Sequence, residues 1–170
     1  MSTALPPRPR IVGPRVRIGI VASKYNEQFT DALVENAVAE LGVLVPHGRI
    51  DLIRVPGAFE VPVMVAAMLK HEPPACVIAL GLILRGGTDH ADLIAASITN
   101  ALQNLAVDHV VPVIHEVLLV ADEEQAHARC IAPELNRGRE AARAAAAMIH
   151  AFSEADRASR ITHIKPSRNA

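Results

Sequence analysis

Residues 76–105 read CVIALGLILRGGTDHADLIAASITNALQNL, and this stretch decides the fold. Cys76–Leu84 carries no charged side chain and no alternation of apolar with polar positions. A strand of that kind has to be covered on both faces, which is the signature of a parallel sheet packed between helices. Arg85-Gly86-Gly87 ends it, and the spacing predicts a helix from His90 to about Leu105. Its buried face is expected to carry Leu93, Ile94, Ser97, Ile98, Ala101, Leu102 and Leu105.

The same alternation repeats on either side. Val16–Ala22 reads as a strand ending at Ser23-Lys24-Tyr25-Asn26. Phe29, Leu33, Ala37, Val38 and Leu41 then form one helical stripe, stopped by Gly42. Ile50–Val55 is a strand closed by Pro56-Gly57, and Val61–Leu69 a helix that ends before Pro73-Pro74. Downstream, Val110–Val117 is expected as a fourth strand, followed by a short helix near Glu123–Arg129 and a long alanine-rich one from Gly138 to about Phe152. Repeated βα units with right-handed crossovers predict a three-layer α/β/α sandwich around a four-stranded parallel sheet. Residues 1–15 alternate proline with arginine and read as an irregular arm, residues 16–155 as the domain, and residues 156–170 as a polar tail.

Composition narrows the function. The chain has 170 residues, 51% hydrophobic and 21% charged, enough for one well-packed domain. A formal net charge of −1 argues against a nucleic-acid or anionic-membrane binder, both of which need a basic excess. The longest uncharged apolar run, Ala75–Leu84, is about half of the ~20 residues a membrane helix needs. No basic flank precedes an apolar run at the N-terminus, so no signal peptide is expected. Two cysteines, Cys76 and Cys130, have neither disulfide-scaffold nor zinc spacing, and a cytoplasmic setting follows. No metal is expected: the other histidines form no HxxxH or HxH pair, and no GxSxG elbow marks a serine nucleophile.

In such sheets ligands bind beyond the carboxyl ends of the strands, so the loops there are the places to look. With three Phe, one Tyr and no Trp in the chain, an aromatic in a loop is informative. Tyr25-Asn26 is either a capped surface turn or, as the scarcity of aromatics favours, a stacking face beside an amide that reads ligand edges. In Val55-Pro56-Gly57-Ala58-Phe59-Glu60, Gly57 permits a tight turn, and Glu60 is open between polyol acceptor and plain first-turn carboxylate. Gly86-Gly87-Thr88 at a helix start forms an anion cradle that is neither a Walker loop nor a dinucleotide fingerprint. His90 beside that cradle is read as a proton-transfer group rather than an ordinary first-turn residue. Arg129 is either part of a solvated basic face or a forked donor to phosphate.

Taken together, VPGAFEVP (Val55–Pro62), GLILRGGTDHADLIA (Gly81–Ala95), Tyr25-Asn26 and EEQAHAR (Glu123–Arg129) resemble the lumazine synthase family in order and spacing. The likeness runs from about Val16 to Ile149. It implies a flavodoxin-like fold and the condensation of 5-amino-6-(D-ribitylamino)uracil with 3,4-dihydroxy-2-butanone 4-phosphate to 6,7-dimethyl-8-ribityllumazine, phosphate and water, the penultimate step of riboflavin biosynthesis. No cofactor or metal is implied. The implied site lies between subunits of a pentamer, which in this family stays single, pairs or closes into a 60-subunit shell, with riboflavin synthase as a candidate partner. A non-catalytic shell-forming or flavin-binding paralogue is the alternative.

Carried over by position, Tyr25 would stack on the uracil and Asn26 lie near the ribityl chain. Ala58, Phe59 and Glu60 would hold the ribityl and ring edges, and Leu82, Ile83 and Leu84 would line the pocket and offer main-chain hydrogen bonds. Gly87 and Thr88 would cradle the phosphate, His90 would move protons, and Arg129 would clamp the phosphate from an adjacent chain. The sequence also departs from the pattern. His115 replaces the common aromatic after the fourth strand, where it would face the pyrimidine and gain a proton near pH ~6.5. Glu116-Val117-Leu118-Leu119-Val120 replaces Gly-Val-Leu-Thr-Thr, Ala91 stands in place of an aromatic, and Arg137 replaces a lysine and joins the expected substrate-binding set.

Overall fold

The computed structural model describes residues 5, 7–8, 16–87 and 89–161. Four strands, β1 (Arg17–Ser23), β2 (Arg49–Val55), β3 (Cys76–Leu84) and β4 (Val113–Val120), form one parallel sheet in the order β2-β1-β3-β4. Five helices cover it: α1 (Glu27–Leu44), α2 (Val61–His71), α3 (His90–His109), α4 (Glu123–Cys130) and α5 (Arg137–Ile161). A 3-10 turn, Ala58–Glu60, leads into α2.

The period of two along each strand divides the core into two layers. Ile18, Ile20 and Ala22 of β1 and Cys76, Ile78, Leu80 and Leu82 of β3 face α1, α4 and α5. Val21, Val77, Ala79 and Val117 face α2 and α3, where Val61, Val65, Ile98 and Leu102 meet them. Aliphatic side chains on both faces of β3 bear out the expectation of a doubly covered parallel strand. The first layer is closed by Ala141, Ala142, Ala145 and Ala146 of α5, all fully buried. Such small side chains let α5 approach α1 closely. At Gly138 an added Cβ would fall 2.3 Å from the Leu33 carbonyl oxygen, so that crossing tolerates no side chain at all.

Several expected boundaries move. Gly42 does not stop α1, which continues to Leu44 and is capped when the Val45 N–H donates to the Leu41 carbonyl. Burial of Leu41, Leu44 and Val45 outweighs the ~1 kcal/mol helix cost of one exposed glycine. Val38 lies at the edge of the stripe, partly exposed, one position round from Ala37. α3 runs four residues past Leu105 and ends at Val110, which adopts a left-handed conformation (φ 52°). The fourth strand therefore spans Val113–Val120 rather than Val110–Val117. On α3 the buried face is narrower than expected: Ala91, Ile98 and Leu102 are buried, whereas Leu93 and Ser97 are exposed. α5 extends to Ile161, beyond the expected end near Phe152 and across the expected domain boundary at 155.

Most of the N-terminal arm and residues 162–170 lie outside the described residues. Arg8, which is described, reaches the buried Glu40 of α1 through two hydrogen bonds of 2.8 and 3.1 Å, and Arg143 of α5 donates to the same carboxylate at 2.8 Å. The Arg8 hydrogen bond, with Arg143 adding to it against burial, holds the Glu40 carboxyl down at about 2. Among the described residues no helix is long and apolar enough to cross a membrane.

Candidate active site

The register of the sheet builds the first part of the site. β1 pairs with β3 only as far as Ala22 with Leu80, so Leu82–Leu84 project beyond β1. Asn26 fills part of that gap: its side-chain amide donates to the Leu82 carbonyl at 2.9 Å. To do so Asn26 sits in the left-handed region (φ 60°), which asparagine tolerates better than most side chains. Two residues on, Leu84 points its backbone to the same side, where β1 offers nothing to pair with.

The loop after β2 forms the facing wall. Lys24 and Tyr25 donate backbone hydrogen bonds to the Pro56 carbonyl, tying the ends of β1 and β2 together. The Gly57 N–H donates to the Glu60 carboxylate at 2.9 Å, which fixes that side chain across the 3-10 turn. A Cβ on Gly57 would lie 2.9 Å from the Glu60 Oε2 and 3.1 Å from the Tyr25 ring, so glycine is needed here for close approach and not for its φ. Tyr25, Asn26, Gly57, Ala58, Phe59, Glu60, Leu82, Ile83, Leu84 and Ile94 line one open concavity of about 430 Å³. Tyr25 and Phe59 are 68% and 58% exposed; two of the chain's few aromatics thus turn their faces outward at its rim.

The cationic residues gather elsewhere. Arg129, Arg137, Glu116, Glu140, His115, Gln125 and Arg85 line a second concavity of about 690 Å³ along the open edge of β4. Asn136 positions Arg137: it is fully buried, caps α5 by accepting from the Arg139 N–H at 3.1 Å, and donates to the Cys130 carbonyl at 2.9 Å. Arg137 is itself hydrogen-bonded to Glu140 one turn on. Burial pushes the Glu116 carboxyl up to about 7, with Arg137 and Arg129 opposing the rise and Glu140 adding to it.

His115 is not at the end of its strand, as the shifted β4 shows; it is the third residue of that edge strand and pairs with Ala79 of β3. Its Nδ1 accepts the Val117 N–H at 3.1 Å and its Nε2 lies 2.8 Å from the Thr99 Oγ1. Burial lowers its pKa below the ordinary 6.5, so the expected gain of a proton near that pH is corrected downward.

Of the expected site residues, the structure brings Tyr25, Asn26, Ala58, Phe59, Glu60, Leu82, Ile83 and Leu84 together in one concavity, and His115, Arg129 and Arg137 in the other. Gly87, between β3 and α3, and His90, the first residue of α3, are exposed and line neither, while Thr88 lies outside the described residues. Among the described residues, a Cβ on Gly86 or Gly87 would touch nothing within 4 Å. Sequence reasoning missed Ile94, Arg85, Gln125, Glu116 and Glu140. A glutamate interrupting the apolar β4 was the available signal for Glu116, and its i,i+3 spacing from Arg137 the signal for Glu140.

The family model described as 6,7-dimethyl-8-ribityllumazine synthase matches residues 15–153. The chain belongs to the lumazine synthase family. A relative from Methylibium petroleiphilum named 6,7-dimethyl-8-ribityllumazine synthase is 36% identical over 85% of this chain and 88% of its own length. Relatives of the same name from Aquifex aeolicus and Rhodopseudomonas palustris are 38% and 39% identical, covering 81% and 76% of this chain and 90% and 82% of their own. Both concavities lie within the span that the lumazine synthase model covers. The flavodoxin-like sheet order and the enzymatic, transferase character expected from the motifs agree with that membership.

Proposed function

We propose that this protein condenses 5-amino-6-(D-ribitylamino)uracil with 3,4-dihydroxy-2-butanone 4-phosphate to 6,7-dimethyl-8-ribityllumazine, and that the site is completed by a second copy of the chain within a pentamer. One observation carries the reading. The stacking aromatics and the arginines line two separate open concavities, each with only half the chemistry the reaction needs.

In this arrangement the uracil lies against Tyr25, its edges meet the free backbone of Leu84, and the ribityl chain runs past Asn26 toward Phe59 and the fixed Glu60 carboxylate. The phosphate rests on the Gly87–Thr88 segment and is clamped by Arg129 and Arg137 of the neighbouring copy. Guanidinium forks suit that task because they stay charged and bind oxyanions bidentately. The amine attacks the ketone and an imine forms with loss of water. Phosphate is eliminated to leave an enol that tautomerises to a carbonyl. The second amine adds to that carbonyl, and closing the ring expels a second water. None of these steps needs a strong nucleophile. Holding both substrates in line is worth up to ~7–11 kcal/mol of barrier, against roughly 10²–10⁴-fold from proton transfer by His90. His90 therefore contributes less than the assembled pocket.

The test is direct. Purified protein given both substrates should develop lumazine fluorescence, and the active species should elute as a pentamer or a multiple of it. A monodisperse 18.2 kDa species with full turnover would end the shared-site reading, and a folded oligomer with no product would mark a non-catalytic paralogue.

A further inference from the structure

We propose that Glu116 is a positioning residue of the arginine concavity, taking up a proton when an oxyanion seats on Arg129 and Arg137, so that anion capture there is tied to proton uptake. The inference rests on the proposed function, in which this concavity receives the substrate's phosphate.

Glu116 stands in the middle of β4, flanked by His115 and Val117, on the face covered by α4 and α5. The groups around it are Arg129 and Cys130 on α4, Arg137 and Glu140 on α5, Arg85 beyond the end of β3, and His115 beside it in β4. Its β3 register partner is Leu80, which is uncharged. The guanidiniums of Arg85, Arg129 and Arg137 thus share a cleft with the two carboxyl groups of Glu116 and Glu140. Glu140 has its own hydrogen bond from Arg137, whereas Glu116 lines the same cleft from β4.

An ionised Glu116 repels an incoming dianion and competes with it for the arginines. A protonated Glu116 does neither, and it presents an O–H donor to the anion's oxygen. Burial, opposed by Arg137 and Arg129 and helped by Glu140, already brings the carboxyl up to about 7, so a dianion bound alongside has only a short way to push it. The sign is fixed: oxyanion affinity at this half-site falls as pH rises above neutrality, and the proton comes from solvent.

Sulfate is the probe, because it stays dianionic across the range. Its inhibition constant against the phosphorylated substrate should rise between about pH 6 and pH 8.5 in the native enzyme, by about five- to tenfold more than in Glu116→Gln. Should the variant fold poorly, calorimetry on the native protein serves in its place: sulfate binding at about pH 7.5, measured in two buffers of different ionisation enthalpy, should take up a substantial fraction of a proton. Superimposable pH profiles, or uptake near zero, overturn the proposal while leaving the phosphate reading standing. Sulfate that does not compete in the native enzyme, together with an Arg129→Ala variant of unchanged KM, removes the phosphate reading and this proposal with it.

Discussion

His115 of β4 and Thr99 of α3 lock each other, with Nε2 2.8 Å from Oγ1. The Val117 N–H can only donate, so Nδ1 accepts and the ring proton sits on Nε2, donated to Thr99. The Thr99 hydroxyl then donates onward to the Ala95 carbonyl at 2.8 Å. A second ring proton would break the Val117 contact, and burial opposes it as well.

His115 should consequently stay neutral through the physiological range. Ring resonances followed by NMR should titrate below the ordinary 6.5, and the ribitylaminouracil KM should not follow His115 between about pH 6.5 and pH 8. A midpoint at or above 6.5 would contradict the hydrogen-bond assignment.

Gly57→Ala should injure binding more than stability. The added Cβ meets the Glu60 Oε2 and the Tyr25 ring, while φ −124° suits any residue. Roughly a tenfold rise in the ribitylaminouracil KM is expected, about 1.4 kcal/mol, with a melting temperature within a few degrees of native. A large loss of melting temperature with normal KM would show that the turn matters for folding alone.

Arg129→Ala should raise KM for the butanone phosphate by one to two orders of magnitude, as for a charge-assisted contact worth roughly 1.5–3 kcal/mol. Affinity for the ribitylaminouracil should hardly change. Equal losses for both substrates would place Arg129 outside the phosphate clamp.

Gly138→Ala should be among the most damaging small substitutions. Its Cβ would sit 2.3 Å from a backbone oxygen of α1, so α5 must shift as a unit. Overpacking of this kind costs about 1–3 kcal/mol or more, read as a fall in melting temperature. Gly42→Ala, whose Cβ meets nothing within 4 Å, should be neutral or stabilising by up to ~1 kcal/mol. Equal effects at the two sites would refute the close-packing account.

Acid sensitivity should trace in part to Glu40. Its folded carboxyl, near 2, lies below the ordinary 4.5, so the stability it contributes is complete above about 4.5 and is lost as pH falls toward 2. Melting temperature should decline over that window in the native protein and more gently in Glu40→Gln. Parallel declines would assign the acid sensitivity to other carboxylates.

Much of this molecule was legible in one dimension. The uncharged β3, the spacing of glycines and prolines at strand ends, and the stripe through Leu33, Ala37 and Leu41 depend on neighbours a few residues apart, and each was placed correctly. Tyr25, Asn26 and the Ala58–Glu60 turn were legible for the same reason: a parallel sheet gathers its strand ends, so loops after consecutive strands must meet.

What sequence could not supply was register and desolvation. Val110 looks like a strand residue until α3 is seen to run on to His109 and cap itself there, which carries β4 three residues onward and His115 into the sheet. The projection of Leu82–Leu84 follows from how β3 is paired, not from its composition. The proton affinity of Glu116 is raised by its burial and adjusted by Arg137 and Glu140, which the fold delivers from α5. Local pattern chose the elements, because side-chain periodicity is a short-range property. Tertiary structure alone separated the aromatics from the arginines and set the ionisation of the groups between them, because electrostatics and strand pairing act between residues that only folding brings together.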